Sequence, residues 1–411
     1  MMLEKILNTL NDEIHSYSSI ALRSAFQPII SLSHQRIVGY EGLIRGFSAM
    51  GDSISPIDIF KIAESNSDII YLDRLCRALH INTFRNCDDD INWLFLNVNP
   101  DVVVNGRKQG QFFAQLLELM QIKPERIVIE ILESPSLDEK QLFRCADFYH
   151  EMGCLIAIDD FGAGHSNFQR IWRIKPQIVK LDQHIIRHAC INNMARRMLP
   201  NIVATMHEAG SLVLMEGIEN EQESMIAMEA NIDLVQGYYF SRPAFTLDSN
   251  TNIKPIVENL FTTYKANFSK RIKINPYLSY IEAMQSALVK LQVSTNLDDW
   301  LHSISIVLNL PGADRYYLLD ENGIQIGESY LINKIDEPAY YHFKPMSNGN
   351  KANWIRRPYL QRALQEYNKV HITRPYLSIA NGRLCITLST ASIMHGSIII
   401  LCYDIDISKS A

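Results

Sequence analysis

The 411-residue chain is longer than a single hydrophobic core usually supports, so its length predicts two domains joined by a connector. Its 47% hydrophobic and 20% charged residues are typical of a soluble globular protein, and a formal net charge of -6 argues against a general nucleic-acid (DNA) binder. Seven scattered cysteines without a CxxC pair favour free thiols over a disulfide framework or a thiolate zinc site.

The amino-terminal segment lacks the features of a secretory leader. Acidic residues interrupt its apolar positions between residues 1 and 19, so the continuous apolar core of a signal peptide is missing. The longest apolar run, at residues 397–403, is far shorter than the roughly 18 residues that suggest a membrane-spanning helix. With the free thiols, these features predict a cytoplasmic protein without a membrane span.

Short runs rich in Val and Ile alternate with longer amphipathic stretches between about residues 25 and 245. Most runs lack the alternation of a one-sided sheet, which predicts parallel strands buried on both faces. Eight runs separated by helix-length segments favour an α/β fold, the (β/α)8 TIM-type barrel. In chain order the runs are FQPIISL, VGYEGLIR, WLFLNV, RIVIEIL, CLIAIDD, IVKLD, SLVLMEGI and LVQGYYF.

The remainder of the chain has a different pattern. Amphipathic segments between residues 255 and 310 predict connector helices. Apolar runs then flank the turn sequence DENG, a good hairpin signal, and two further strand-like runs follow it. We predict a barrel domain at 1–250, connector helices at 251–310 and a small α+β domain at 311–411.

Carboxylates and one amide fall inside or at the carboxyl ends of the predicted barrel strands. Burying several unpaired carboxylates in one barrel would be very costly without cations. The carboxyl ends of barrel strands converge on one face, and oxygen ligands of this kind select Mg²⁺ or Mn²⁺. Two such ions, about 4 Å apart, favour phosphodiester hydrolysis. These side chains are Glu41, Asn97, Glu130, Asp159, Asp160 and Glu216.

Basic residues accompany the acids on neighbouring strands. Lys180 points to the same face, where it could orient the attacking water, or deprotonate it if its pKa is depressed; a solvated lysine is the equally weighted alternative. Arg45 is spaced for a bidentate phosphate contact. The sequence FGAGHSN after the acid pair suits a mobile loop over a site.

The motifs themselves resemble those of a known family. EGLIRG resembles the EALxR signature of the EAL-domain cyclic di-GMP phosphodiesterases, and QPI, FLNVNP, EILES, DDFGAGHSN, VKLD, EGIE and QGYYFSRP follow in the family's order. The resemblance covers about residues 20–245. It implies cleavage of one phosphodiester of cyclic di-GMP, giving linear pGpG, with two Mg²⁺ or Mn²⁺ ions.

The resemblance also implies roles for individual residues. The six strand-end residues match the family's metal ligands, and Lys180 matches the residue assigned to the catalytic water. Gln236 matches a glutamine that supports the water and the metal ligands, and Glu133 matches the glutamate that holds the DDFG loop. Glu219 matches a glutamate that contacts the metal ligands rather than the metal. Gln27 and Arg45 match substrate contacts, and Asp182 lies near the same pocket. The expected catalytic set is Lys180, Glu41, Glu216, Glu133, Gln236 and Glu219.

Three positions depart from the family pattern: Gly42 replaces alanine, Leu132 replaces threonine and Met215 replaces alanine. None of them removes a metal ligand, so the site is read as competent, although Leu132 or Met215 could lower the rate or shift the substrate fit.

The carboxyl-terminal domain resembles PAS/Cache-like sensor domains. That resemblance implies a pocket for a small-molecule ligand lined by Trp354, Arg356, Arg357 and Tyr359; packing in the core or at a dimer face is the alternative. The EAL resemblance further implies a homodimer formed through the barrel face near the DDFG loop.

The sequence therefore predicts an active cyclic di-GMP phosphodiesterase, regulated through its carboxyl-terminal domain. One alternative is a non-catalytic cyclic di-GMP receptor that signals through that domain, although the complete acid set weighs against it. Another is a scaffold that works by protein contacts of residues 255–411.

Overall fold

The structure is a computed structural model. It describes residues 2–10, 15–87, 91–98, 111–132, 139–164, 168–247, 250–273, 276–294, 296–332 and 349–407. Two compact units divide the chain, Met1–Asn267 and Phe268–Ala411. No helix within the described ranges is both long enough and apolar enough to cross a membrane.

The first unit alternates strands and helices. Its strands are β1 (His15–Tyr17), β2 (Ile20–Ser31), β3 (Arg36–Phe47), β4 (Ser53–Ile54), β5 (Trp93–Val98), β6 (Ile127–Leu132), β7 (Leu155–Phe161), β8 (Ile178–Leu181), β9 (Leu212–Met215) and β10 (Leu234–Val235). Its helices are α1 (Met2–Leu10), α2 (Pro56–Ser65), α3 (Ile69–Cys87), α4 (Gln111–Met120), α5 (Glu139–Met152), α6 (Phe168–Ile174), α7 (Gln183–Ile191), α8 (Asn193–Glu208) and α9 (Glu221–Glu229), and α10 (Asn250–Lys273) follows them.

Eight of these strands close into the predicted barrel. The sheet runs β2-β10-β9-β8-β7-β6-β5-β3, and the pairing of β2 with β3 closes it, while β1 and β4 flank β2 and β3. Within the barrel, β3 and the strands β5 to β10 are parallel to one another, but β2 is antiparallel to both β3 and β10. The expectation of an all-parallel barrel was therefore wrong for β2. Only residues 32–35 connect β2 to β3, and a link this short permits a hairpin but not a parallel crossover.

One apolar side chain from each barrel strand lies inside the barrel. The eight form a buried cluster of their own, separate from the larger core between strands and helices. Side chains on a strand alternate between its two faces, so the next inward position lies two residues further along each strand. The cluster consists of Ile29, Val38, Phe95, Val128, Ala157, Ile178, Leu214 and Leu234.

The second unit is an α+β domain, as predicted. Its strands are β11 (Ala313–Leu319), β12 (Gln325–Leu331), β13 (His371–Ile372), β14 (Tyr376–Leu377), β15 (Leu384–Met394) and β16 (Ser397–Asp406), and its helices are α11 (Leu278–Val293), α12 (Leu297–Val307) and α13 (Pro358–Gln365). The antiparallel sheet runs β12-β11-β16-β15-β13, with β14 also paired to β15. The predicted DENG hairpin is the β11–β12 connection.

Helices cover both faces of this second sheet. Residues of α11 and α12, among them Met284 and Trp300, pack with Tyr316 and Tyr403 on one face. Leu360 and other residues of α13 pack against the opposite face. The domain therefore has two small cores, one on each side of the sheet.

Candidate active site

A layer of polar side chains lies directly above the apolar layer of the barrel. On six parallel strands the polar residue follows the apolar one by two positions, and on antiparallel β2 it precedes it by two, so the period of the strand aims all seven inward. On β3 the polar Glu41 follows the apolar Val38 by three positions instead of two. The register with β2 is irregular near Val38, and this irregularity pairs Glu41 with Gln27 on β2. The layer consists of Gln27, Glu41, Asn97, Glu130, Asp159, Lys180, Glu216 and Gln236.

Lys180 lies at the centre of this layer. Its Nζ is 2.6 Å from Glu130 Oε1, 2.9 Å from Asp159 Oδ1 and 2.5 Å from Glu216 Oε1. Burial alone would lower the pKa of Lys180, but the charges of Asp159, Glu130 and Glu216 raise it well above its ordinary value. This arrangement favours a protonated lysine that orients water or phosphate, rather than the alternative of a lysine base with a depressed pKa.

Glu130 is fully buried, with 0% of its surface exposed. Its Oε2 accepts no hydrogen bond from any described residue. Burial raises the pKa of Glu130 well above its ordinary range, and the nearby charges of Glu41 and Asp159 act in the same direction, against Lys180. The negative charge of an ionised Glu130 is therefore not fully balanced by positive charge nearby.

Asp159 and Asp160 are consecutive in sequence yet share one ligand cluster with Glu216. One carboxylate oxygen from each of the three residues lies within 4.8 Å of the others. Neighbouring residues of a regular strand point to opposite faces, but Asp160 has a positive φ of 55° and the pairing of β7 with β8 is irregular there. The backbone N–H of Asp160 donates to Asp159 Oδ1 at 3.0 Å. The local distortion turns both carboxylates towards the site.

Amide side chains hold Glu41 in place. Asn97 Nδ2 donates to Glu41 Oε1 at 2.9 Å, and Gln236 Nε2 donates to Glu41 Oε2 at 2.7 Å. Gln236 Nε2 also lies 3.1 Å from Gln27 Oε1, and the buried Oε1 of Gln236 has no partner among the described residues. A glutamate held by two amides has a fixed orientation towards the cleft.

The cleft above this layer has a volume of about 300 Å³. Acidic side chains dominate its wall, and Lys180 is the single basic residue among the described residues that line it. The donor set of carboxylate and amide oxygens, the unpartnered buried Glu130 Oε2 and the shortage of positive charge all fit hard divalent cations. The lining residues are Gln27, Glu41, Asp159, Asp160, Lys180, Asp182, Gln183, Glu216, Gly217, Glu219, Gln236, Gly237 and Tyr238.

Comparison with known proteins identifies the family. The family model described as "EAL domain" matches residues 8–243, more than half of the chain. The chain belongs to the EAL-domain family. The motifs from EGLIRG to QGYYFSRP all fall within the matched residues.

Two curated relatives illustrate the range of similarity. Cyclic di-GMP phosphodiesterase PdeF of Escherichia coli (strain K12) is 30% identical over 165 residues, which cover 40% of this chain and 22% of PdeF. The uncharacterized EAL-domain containing protein YkuI of Bacillus subtilis (strain 168) is 24% identical over 378 residues, which cover 89% of this chain and 90% of YkuI. The chain thus spans about a quarter of the length of PdeF and of two further relatives, but nearly all of YkuI.

Solved EAL structures share the fold. The Bacillus subtilis YkuI structure in complex with c-di-GMP and calcium has a TM-score of 0.78 and 21% identity, and the match covers 98% of each chain. A standalone EAL protein from Vibrio cholerae O395, in its c-di-GMP bound form, has a TM-score of 0.50 and 27% identity and covers 57% of this chain and 97% of its own. The YkuI match shows that the fold of both units recurs in another EAL protein.

Of the other residues expected in the EAL site, Asp182 and Glu219 line the cleft and Arg45 does not. Asp182 lines the cleft and accepts from the backbone N–H of His184 at 2.8 Å, which caps α7. Glu219 lines the cleft and pairs with Arg187 at 2.8 Å. Arg45 is not among the lining residues, and its Nη1 donates to the backbone carbonyl oxygen of Ile44 at 2.9 Å.

Part of the expected EAL loop falls outside the described residues. Residues 165–167 of FGAGHSN are among those outside, and so is Glu133, the residue expected to hold the DDFG loop. Residues 161–164 of FGAGHSN are described.

Sequence reasoning missed one aromatic group at the rim of the EAL cleft. Tyr238 lines the cleft with 51% of its surface exposed, and the Arg242 guanidinium lies 4.3 Å from the centre of its ring. Both residues belong to QGYYFSRP. The available sequence signal was the position of Tyr238 in QGYYFSRP, two residues after Gln236.

The second unit contains the residues expected for a sensor pocket. Trp354 and Arg357 line two adjoining cavities, and Tyr359 is buried at the inner one. Arg356 is exposed and lines the outer cavity. Sequence reasoning missed Arg315, Tyr317, Gln325, Tyr376 and Asp404, which also line the inner cavity. They lie far from the WxxRPY motif in the sequence, and only strand pairing brings them together.

Proposed function

We propose that this chain hydrolyses cyclic di-GMP to linear pGpG with two divalent ions, Mg²⁺ or Mn²⁺. The observation that carries the proposal is the buried carboxylate set around Lys180, in which Glu130 has an unpartnered oxygen. A receptor that only binds the dinucleotide has no need of this costly arrangement. Membership of the EAL family supports the same substrate, because relatives such as PdeF are named cyclic di-GMP phosphodiesterases.

Glu41, Asn97, Glu130, Asp159, Asp160 and Glu216 would hold the cations. When bound, such ions neutralise a phosphodiester and supply hydroxide near neutral pH. In the reaction the water oxygen bonds to phosphorus, the bond to the 3′ oxygen breaks, and that oxygen takes up a proton to leave a 5′-phosphorylated linear product. Protonated Lys180 orients the nucleophile and offsets the negative charge that develops on phosphorus. Gln236 and Asn97 fix Glu41 through the bonds described above.

The decisive experiment incubates the purified chain with cyclic di-GMP and either Mg²⁺ or Mn²⁺ and quantifies pGpG by chromatography. We expect turnover that stops on addition of EDTA. Glu130→Gln should lower the rate at least about a hundredfold, since it removes a ligand without changing side-chain size.

The matched control is Asp147→Asn. Asp147 is a partly exposed acid on α5 that pairs with Arg173 at 3.0 Å and lies on none of the barrel strands that carry the carboxylate layer, so activity should be unchanged. Tight binding of cyclic di-GMP without pGpG from the folded wild-type chain would overturn the proposal in favour of the receptor function.

We also propose that the second unit is a PAS/Cache-like regulatory domain that binds a small molecule, and that the protein acts in the cytoplasm as a homodimer. All seven cysteines are free, which suits a reducing compartment. The helices after β7 and β8 expose apolar side chains that would suit a subunit interface, with Trp172 69%, Ile191 85% and Met194 59% exposed. Light scattering measures the molecular mass in solution and so tests the dimer. A monomeric protein with full activity would exclude a role of the dimer in activity.

A further inference from the structure

The hairpin of β2 and β3 extends beyond the polar layer of the barrel. Its two strands pair regularly from residue 21 to residue 29 of β2. In the polar layer, Gln27 lies opposite Glu41; four residues further along each strand, Arg23 lies opposite Arg45. Side chains alternate between the two faces of a strand, so both arginines project on the same face as Gln27 and Glu41, which line the cleft. At 3.4 Å per residue, the Arg23–Arg45 pair lies about 13 Å beyond the polar layer along the strands.

The exposure of neighbouring side chains agrees with this orientation. Leu22 and Ile44, which precede Arg23 and Arg45 in the sequence, are 1% and 7% exposed and belong to the barrel core. Arg23 is exposed and Arg45 is half-buried. The hairpin therefore buries one face in the core and presents two guanidinium groups on the other.

These two arginines form a pair of like charges without an acidic partner. Their positions are directly opposite in an antiparallel pair, where like charges destabilise the hairpin. Neither guanidinium forms a salt bridge with a carboxylate of the described residues. An anion bound between Arg23 and Arg45 would remove this repulsion.

An aromatic ring supports the Arg23 guanidinium. The guanidinium lies 4.0 Å from the centre of the Phe245 ring, whose own centre is 6.1 Å from that of Phe47 on β3. The backbones of Phe26 and Ala244 exchange hydrogen bonds of 2.7 and 3.0 Å, which hold Phe245 beside β2. A cation is attracted to the face of such a ring. Phe245 therefore orients Arg23 and leaves its N–H groups available to an acceptor.

The proposed substrate offers a suitable anion. Cleavage of one phosphodiester in a cyclic dinucleotide leaves the second phosphate of the ring intact and negatively charged. We propose that Arg23 binds this second, uncut phosphate from the side opposite Arg45, while the scissile phosphate lies at the carboxylate layer. A guanidinium binds a phosphate through two parallel N–H···O bonds. This inference rests on cyclic di-GMP as the proposed substrate, and it adds to Arg45 a residue outside the EAL motifs.

The test compares the affinity and the kinetics of Arg23→Gln with those of the wild-type full chain. Calorimetry measures binding of cyclic di-GMP in Ca²⁺, which suits the same oxygen ligands, and steady-state kinetics are measured in Mn²⁺. We expect binding to weaken about ten- to a hundredfold, the effect of losing one charged hydrogen-bond donor. KM should rise by a similar factor at nearly constant kcat, because the uncut phosphate is bound equally in the ground state and the transition state.

Lys61→Gln is the matched control, because it removes the same charge from the opposite face of the hairpin. The Lys61 side chain is 69% exposed on α2. This helix packs on the buried face, where a Cβ built on Gly46 would lie 2.5 Å from Ile59 Cδ1. The variant should bind cyclic di-GMP like the wild type. Without ligand, Arg23→Gln should melt no lower than the wild type, because it relieves the repulsion from Arg45.

The outcomes separate this inference from the proposed function. If the wild type binds cyclic di-GMP and Arg23→Gln binds it equally well, the role of Arg23 is overturned and the proposed function stands. If the wild type binds but does not cut the dinucleotide, the phosphodiesterase function is overturned, whereas weaker binding by Arg23→Gln still supports the phosphate contact. A loss of binding accompanied by a lower melting temperature, or a lower kcat at unchanged KM, would also overturn the role of Arg23.

Discussion

The imidazole ring of His80 occupies the space that a side chain at residue 42 would need. A Cβ built on Gly42 would lie 2.8 Å from His80 Cγ. His80 is buried on α3 and its Nδ1 lies 2.9 Å from Ser24 Oγ. Burial, with a smaller effect of Arg45, lowers the pKa of His80 to about 3, so the ring is neutral. The departure from the EAL motif at Gly42 is thus matched by a neighbouring ring and leaves the adjacent Glu41 in place.

Restoring the motif's alanine should therefore harm this protein. Gly42→Ala forces the His80 ring to move within a packed core, and we expect the free energy of unfolding to fall by about 1–3 kcal/mol. Urea unfolding measures this change. The double variant Gly42→Ala with His80→Ala should show a favourable coupling, since the second change makes room for the new methyl group. A Gly42→Ala chain as stable as the wild type would refute the steric relationship.

Removal of Lys180 should make the barrel dependent on divalent ions. Lys180→Met leaves Glu130, Asp159 and Glu216 without their countercharge, and losing one partner of a buried ion pair typically costs about 3–5 kcal/mol. We expect a large drop in melting temperature in EDTA and a partial recovery with Mn²⁺, a recovery greater than the wild type shows. A variant whose melting temperature does not respond to Mn²⁺ would contradict a cation site in the carboxylate layer.

Substitutions of Asp160 should separate its backbone role from its charge. Asparagine tolerates the positive φ of 55°, whereas alanine does not, so Asp160→Ala should be about 1 kcal/mol less stable than Asp160→Asn. Both should lose affinity for Mn²⁺, measured by calorimetry, because both remove a carboxylate from the cluster with Asp159 and Glu216. Equal stability of the two variants would mean that the left-handed conformation relaxes when the carboxylate is removed.

Asp404 should make the stability of the second unit depend on pH. Burial raises its pKa from 3.8 to about 6, against the lowering effect of Arg315. Because the folded value lies above the unfolded one, its contribution to stability is full below about pH 4 and is lost as pH rises through about 6; the change is about 2–3 kcal/mol.

Urea unfolding between pH 4 and 7 tests this dependence. Asp404→Asn should remove that part of the pH profile, while Glu321→Gln, at an exposed position in the β11–β12 turn, should retain it. Superimposable profiles of Asp404→Asn and the wild type would show that Asp404 does not titrate in this range.

Much of the barrel could be predicted from local sequence. All eight predicted runs form barrel strands, and the strand period alone places Glu130 two residues after Val128 and Lys180 two residues after Ile178, on the inner side. The direction of β2 was also within reach, because its link to β3 is too short for a crossover. These features depend on side-chain alternation and chain length, which a sequence contains directly.

Other features required the three-dimensional structure. The positive φ of Asp160 and the register shift near Val38 arise where neighbouring strands meet, so the residues alone do not encode them locally. Likewise WxxRPY contains two arginines that the sequence could not distinguish. Arg356 is exposed, whereas Arg357 lies near the rings of Trp354 and Tyr376.

The sequence itself thus determined where the carboxylates of the first 245 residues lie in the fold. Inward positions repeat along each strand, and the strand ends converge in a closed barrel. The tertiary structure decided that Glu130, Asp159 and Glu216 share the Lys180 ammonium group and that Glu130 keeps an unpartnered oxygen. Contacts between distant segments determine burial and pairing, and these in turn determine which charged groups a ligand or metal ion can engage.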